Sequence, residues 1–196
     1  MNASNTLFYR LIANRCEIEE FEQQLYSMAD IEERLSELDY LNLISIDYRL
    51  PSAAYEALKI VNKYVVSSRY HEWYLGSLLT RIIDRTADVH EAIEECYYLY
   101  CIGLGFLYDL GLGYGLAIIA PPGGYSASDW YGLTDIEKER LVDGMYPGIV
   151  DEARRVLGWI QDGKVVVETD PSCRNGTGLV FIDTRAHPIR RTGPDR

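Results

Sequence analysis

Apolar positions recur at helical spacing through the first hundred residues of this chain and alternate only near its end. Asn5 or Thr6 can cap a short opening helix over residues 7–15. In residues 17–28, Ile18, Phe21, Leu25 and Met28 return at steps of three and four, which predicts an amphipathic helix with an acidic outer face. Asp30, with Glu33 three residues on, reads as a cap, after which Ile31, Leu35 and Leu38 continue the apolar stripe. Ile44 and Ile46 then alternate with Ser45 and Asp47, the pattern of a short strand before Pro51. Ser52 can cap a helix over residues 53–66, with Ala57, Ile60, Val61 and Tyr64 on its buried face. Ser68 can cap the next, over residues 69–85, whose apolar positions surround much of the cylinder and make it central. Thr86 or Asp88 opens another, lined on its inner side by Val89, Ala92, Ile93 and Cys96.

The second half changes period. Thr134 and Glu137 form a capping box for a helix that stops at Gly144, and Pro147 suits the first turn of a helix that runs to Gly163. Residues 164–169 and 178–184 are two β-rich runs joined by the loop 170–176, a hairpin to which residues 116–120 can add a strand. The expected fold is α+β and predominantly helical, a compact bundle with a small antiparallel sheet near the C-terminus. It is read as a single globular domain over residues 1–184, helical in 1–115 and mixed in 116–184. Residues 185–196 are expected to be a disordered basic tail.

Between the halves lies a run of glycines, Gly103, Gly105, Gly111, Gly113 and Gly115. A dinucleotide loop needs a third glycine where Tyr108 or Leu116 stands, and no Lys-Ser/Thr pair follows as in a phosphate loop. A membrane span would bury Asp109 and lacks basic flanks. Dense packing remains. Gly111, Gly113 and Gly115 are expected to be buried, one of them at positive φ or under a crossing backbone, with a turn at 109–113 leading to a central strand.

Charge narrows the partners. The chain carries a net −11, and residues 16–40 hold nine acids against the single base Arg34. Such a chain lacks the basic footprint that nucleic acid requires and suits a basic protein partner. Cys16, Cys96, Cys101 and Cys173 form no CxxC pair and no zinc spacing, and Cys96 and Cys101 read as buried free thiols. The first twenty residues lack a secretory pattern, so a reducing cytoplasm is the expected compartment. Tyrosine outnumbers phenylalanine 16 to 4, and such residues concentrate in interfaces.

Catalytic motifs are sparse. His90 begins an HExxH-like run, but Glu94 stands where the second zinc-binding histidine must be. Arg85 and His90, an Arg and a His with four residues between them at a helix start, resemble the motif of HEPN ribonucleases. That resemblance implies metal-independent RNA cleavage, with Arg85 and His90 flanking a phosphate. The leading reading is different: a non-enzymatic, acidic inhibitor of the immunity or antitoxin type that occludes a basic toxin, with no cofactor or metal. Its expected partner-binding residues are Glu17, Glu19, Glu20, Glu22, Asp30, Glu32, Glu33, Glu37 and Asp39, with Tyr125, Trp130 and Tyr131 as exposed aromatics. A third reading is a structural subunit of a larger assembly.

Overall fold

The computed structural model describes residues 2–170, 172 and 178–185. The fold is α+β and predominantly helical, with one two-stranded antiparallel sheet near the C-terminus, as the pattern predicts. The chain divides into two compact units, residues 1–74 and 75–196. Cys173 and the tail beyond Arg185, with His187, lie outside the described residues, as does most of the loop between the strands.

In the first unit, α1 (Ala3–Ile12), α2 (Ile18–Ser27), α3 (Asp30–Arg34), α4 (Glu37–Ile44) and α5 (Ala53–Val61) precede α6 (Ser67–Ile83), inside which the division falls. Phe21 and Leu25 of the predicted stripe point inward and meet Leu7, Phe8, Leu11, Ile31, Leu43 and Val61 in one buried cluster. Arg34 ties three segments together. Its guanidinium donates to Ser4 Oγ (3.2 Å) and to the Tyr64 carbonyl (2.9 Å), and it lies 5.0 Å over the Phe8 ring.

Several predicted boundaries shift. Asn5 and Thr6 lie inside α1, and Asp30 is the first residue of α3 with Ala29 at the cap position. Ser52 and Asp88 do occupy cap positions, of α5 and of the helix that starts at Val89, but their side chains accept no capping hydrogen bond. A cap the pattern passed over is Ser36, which accepts from the Asp39 amide at 3.2 Å and starts α4. The strand expected at Ile44 and Ile46 is instead the end of α4, where the Ser45 hydroxyl donates to the Leu41 carbonyl at 2.6 Å. Two alternating residues could not outweigh the helical spacing of Tyr40, Leu43 and Ile44.

The second unit is organised around α7 (Val89–Cys101). After Gly103, at φ +115°, a 3₁₀ turn (Gly105–Leu107) leads into a π-helical segment, Asp109–Gly115, that continues directly as α8 (Leu116–Ile119). The expected turn at 109–113 and the strand over 116–120 are therefore corrected to helix. Gly111 and Gly115, four residues apart, are buried, while Gly113 is exposed and none of the three has positive φ. A Cβ on Gly111 would meet Tyr100 Cβ at 2.7 Å and the Cys96 carbonyl at 3.0 Å. One on Gly115 would meet the Ile93 carbonyl and Tyr97 Cβ at 2.8 Å. These two glycines lie under the crossing backbone of α7.

The capping box at Thr134 and Glu137 opens α9 (Asp135–Asp143), which stops at Gly144, and α10 (Gly148–Gln161) follows a cis Tyr146–Pro147 bond. Pro147 sits one residue before the first helical position, and Gly163, at φ +67°, closes the turn into the hairpin. Strand β1 (Val165–Thr169) pairs with β2 (Leu179–Asp183) in a register that sets Val165 opposite Asp183. Val165 and Val167 turn inward, and Phe181 meets Phe106 edge-on at 5.4 Å. Cys96 is buried and its thiol is pushed up to about 12 by burial. Cys101, expected to be buried, is exposed instead. Five residues along a helix turn a side chain to nearly the opposite face.

Gly115→Ala is expected to lower the unfolding free energy by about 1–3 kcal/mol through overpacking against α7. Gly113→Ala, with nothing within 4 Å of the new methyl, is expected to leave stability unchanged or raise it. Urea unfolding of both variants checks this. Equal losses at the two positions would contradict the packing assigned to Gly115.

Candidate interaction surfaces

In the first unit, the acids of residues 17–39 fall mainly at helix starts. Glu19 and Glu20 occupy the first turn of α2, Asp30, Glu32 and Glu33 that of α3, and Glu37 and Asp39 that of α4. Each faces the positive end of a short helix dipole, which is the local reason the sequence tolerates so many. Two are engaged. Glu20 accepts from Arg10 and from the Gln24 amide, both at 2.8 Å, and the Arg10 hydrogen bond holds its carboxyl below the usual range. Asp39 is held down likewise, first by Lys63 at 2.7 Å and then by the Tyr64 hydroxyl at 2.7 Å.

Asp30 and Glu22 are half-buried, and one Asp30 carboxylate oxygen is buried without a hydrogen-bond partner. Glu17, Glu19, Glu32, Glu33 and Glu37 are exposed and make no ion pair among the described residues.

Beside these carboxylates, α4 exposes Leu38 (69%) and Leu41 (48%), three residues apart on one face. Exposed Tyr26 joins them, its hydroxyl donating to the Ile44 carbonyl at 3.1 Å. Leu38 was expected in the buried stripe. The break at Leu35 and the new start at Ser36 reset the helical phase and turn it outward. An open groove of about 440 Å³ lies on the same unit, lined by Asp39, Asn42, Ser45 and Ile46 of the α4 side and Glu56, Lys59, Ile60 and Lys63 of the α5 side. Its walls carry the Asp39–Lys63 and Glu56–Lys59 ion pairs over an isoleucine floor, a lining suited to ionic recognition.

In the second unit the three expected aromatics separate. Trp130 is 8% exposed, not a surface residue, because it stacks on His90 of α7 with centroids 4.7 Å apart and planes at 15°. Tyr125 is half-buried beneath Arg140 at 4.6 Å. Tyr131 is open, at 78% exposure. Glu137 fixes the loop that presents it. Its carboxylate accepts from the Ser126 amide (2.8 Å) and hydroxyl (2.5 Å) and from the Thr134 amide (3.0 Å) and hydroxyl (2.9 Å). Those four bonds, led by the Ser126 hydroxyl, hold it down to about 2.

Arg85 and His90 have separate neighbours. Arg85, at φ +50°, pairs with Asp143 and lies 4.9 Å over Tyr146, whose hydroxyl donates to the Ile82 carbonyl at 2.7 Å. No hydrogen bond, ion pair or ring contact joins it to the stacked His90 among the described residues. Arg81, one turn before Arg85, pairs instead with Asp88 (2.5 Å) and Glu91 (3.3 Å).

Among the described residues, no group of three His, Cys, Asp or Glu side chains is arranged to hold a metal ion. No helix there is long and apolar enough to cross a membrane. No family model, curated protein or solved structure matches the chain.

Because the folded carboxyl of Glu137 lies below its ordinary 4.5, its stabilising contribution is present above that pH and is lost as pH falls toward about 2. Glu137→Gln is therefore expected to weaken the acid dependence of the urea midpoint over that window. A variant as acid-sensitive as the parent would show that the loop anchor is not what titrates.

Proposed function

We propose that this chain is a non-catalytic protein-binding protein, an acidic inhibitor of the immunity or antitoxin kind whose α2–α4 face occludes a basic partner such as a toxic nuclease. The observation that carries the reading is the pairing of free carboxylates with exposed Leu38 and Leu41 on one short stretch of helices. A solvated acidic face needs no exposed leucines. A docking face does, because desolvated apolar anchors give affinity while surrounding charges steer the encounter and set specificity. A net charge of −11 adds long-range attraction for a cationic surface. The engagement of Arg85 by Asp143 and of His90 by Trp130 gives both residues a structural role and favours this reading over RNA cleavage.

The test is affinity capture with the tagged chain, followed by assay of the captured protein's activity with and without added chain. A basic protein is expected, its activity blocked stoichiometrically and its capture weakened by salt. Combining Glu19→Lys, Glu32→Lys, Glu33→Lys and Glu37→Lys should abolish capture. Leu38→Ala with Leu41→Ala should weaken it about tenfold or more. Capture unchanged in both variants would overturn the assignment.

A further inference from the structure

Repeatedly among the described residues a cation lies over an aromatic ring while a nearby carboxylate holds it there. Arg85 covers Tyr146 and pairs with Asp143, and Lys59 covers Tyr55 at 4.3 Å and pairs with Glu56 at 3.4 Å. Trp159 takes two such cations, Arg155 at 5.4 Å with Glu152 and Arg185 at 3.9 Å with Asp183. Ring and carboxylate cooperate because the ring face attracts the cation's charge and the carboxylate accepts its N–H groups.

On α7 the same two parts stand without the third. Glu94 and Tyr98 lie one turn apart, and the Tyr98 hydroxyl donates to Glu94 Oε1 at 3.1 Å, which fixes the carboxylate beside the ring. Tyr98 is 48% exposed, and no cation covers it among the described residues. The hydrogen bond to Glu94 raises the Tyr98 phenol. His90, one turn before Glu94, is where Trp130 stacks, so the turn that carries Tyr131 is pinned against this face.

We infer that Glu94, Tyr98 and Tyr131 form a receptor for one arginine side chain of a partner protein. Charge complementarity selects a cation; lysine fills such a site at Tyr55, and the planar fork is what favours arginine at Tyr98. A guanidinium can lie flat on Tyr98 while its edge pairs with Glu94, whereas an ammonium keeps its hydration and has no plane to stack. The inference rests on the reading of this chain as a protein-binding protein, and it adds to that reading a specific residue on the partner.

The probe is an oligo-arginine peptide, with oligo-lysine of equal length as the comparison, added to the full chain while the tyrosine ring signals are followed by NMR. The arginine peptide is expected to shift the Tyr98 and Tyr131 rings, with the lysine peptide severalfold weaker at those rings. Tyr98→Leu and Glu94→Gln should each lower that site's affinity by about three- to thirtyfold. Equal shifts with both peptides, or ring shifts at Tyr131 that survive both substitutions, would overturn the receptor. So would movement of the Tyr98 signals in the peptide-free chain carrying Arg190→Ala, Arg191→Ala and Arg196→Ala, since the occupant would then be the chain's own C-terminus. If the α2–α4 charge reversals abolish partner capture and Tyr98→Leu leaves it intact, the arginine receptor fails and the acidic face stands. If the charge reversals leave capture intact and Tyr98→Leu weakens it, the acidic face fails and the receptor stands.

Discussion

The second unit depends on the close approach of the Asp109–Gly115 segment to the backbone of α7. At Gly111 and Gly115 the separation leaves no room for a methyl group, and the carbonyls of Cys96 and Ile93 take up that space. Two helical pieces this close exclude water along their seam and gain dispersion contacts that any larger residue would forfeit. The seam also decides which way α7 faces. With Ile93, Cys96, Tyr97 and Tyr100 turned toward the seam or the core, Glu94, Tyr98 and Cys101 are carried to other sides of the helix. The open ring and its carboxylate follow from a packing constraint at two glycines.

The first unit solves a different problem. Three very short helices, too short to persist alone, are held by a buried apolar cluster and by Arg34 reaching Ser4 and Tyr64. Short helices have many ends, and acidic residues collect at their starts because the dipole favours them there. Lys63 and Arg10 neutralise Asp39 and Glu20, and the remaining charge stays facing solvent beside Leu38 and Leu41. The acidity therefore has a local structural origin in the dipoles; Ser36 sets the phase that turns Leu38 outward, but the dipoles give no reason for an apolar residue there. The proposed docking role rests on that asymmetry.

Much of the architecture was legible in the chain. The inward stripe of α2, the inner face of α7, the Thr134–Glu137 box and the terminal hairpin all follow from period and capping chemistry. What escaped was decided by phase and by tertiary contact. Ser36 restarts a helix and swings Leu38 outward, which a continuous stripe conceals. Glycines at 103, 105, 111, 113 and 115 read as a two-residue spacing, when the spacing that packs is the four between Gly111 and Gly115. Trp130 resembled a surface aromatic because its partner, His90, is forty residues away in sequence. Cofacial pairs of that kind, like the cation over Tyr146, leave no local trace.

The α2–α4 face and the Glu94–Tyr98–Tyr131 receptor are proposed to carry recognition, while Arg85 and His90 make structural contacts within the second unit. Hydrogen exchange of the chain, free and bound to its captured partner, addresses that division most directly. The account predicts that binding slows amide exchange in residues 30–44, across α3 and α4, and leaves the amides around Arg85 and His90 unchanged. Protection confined to residues 85–90, with α3 and α4 exchanging as in the free chain, would contradict it.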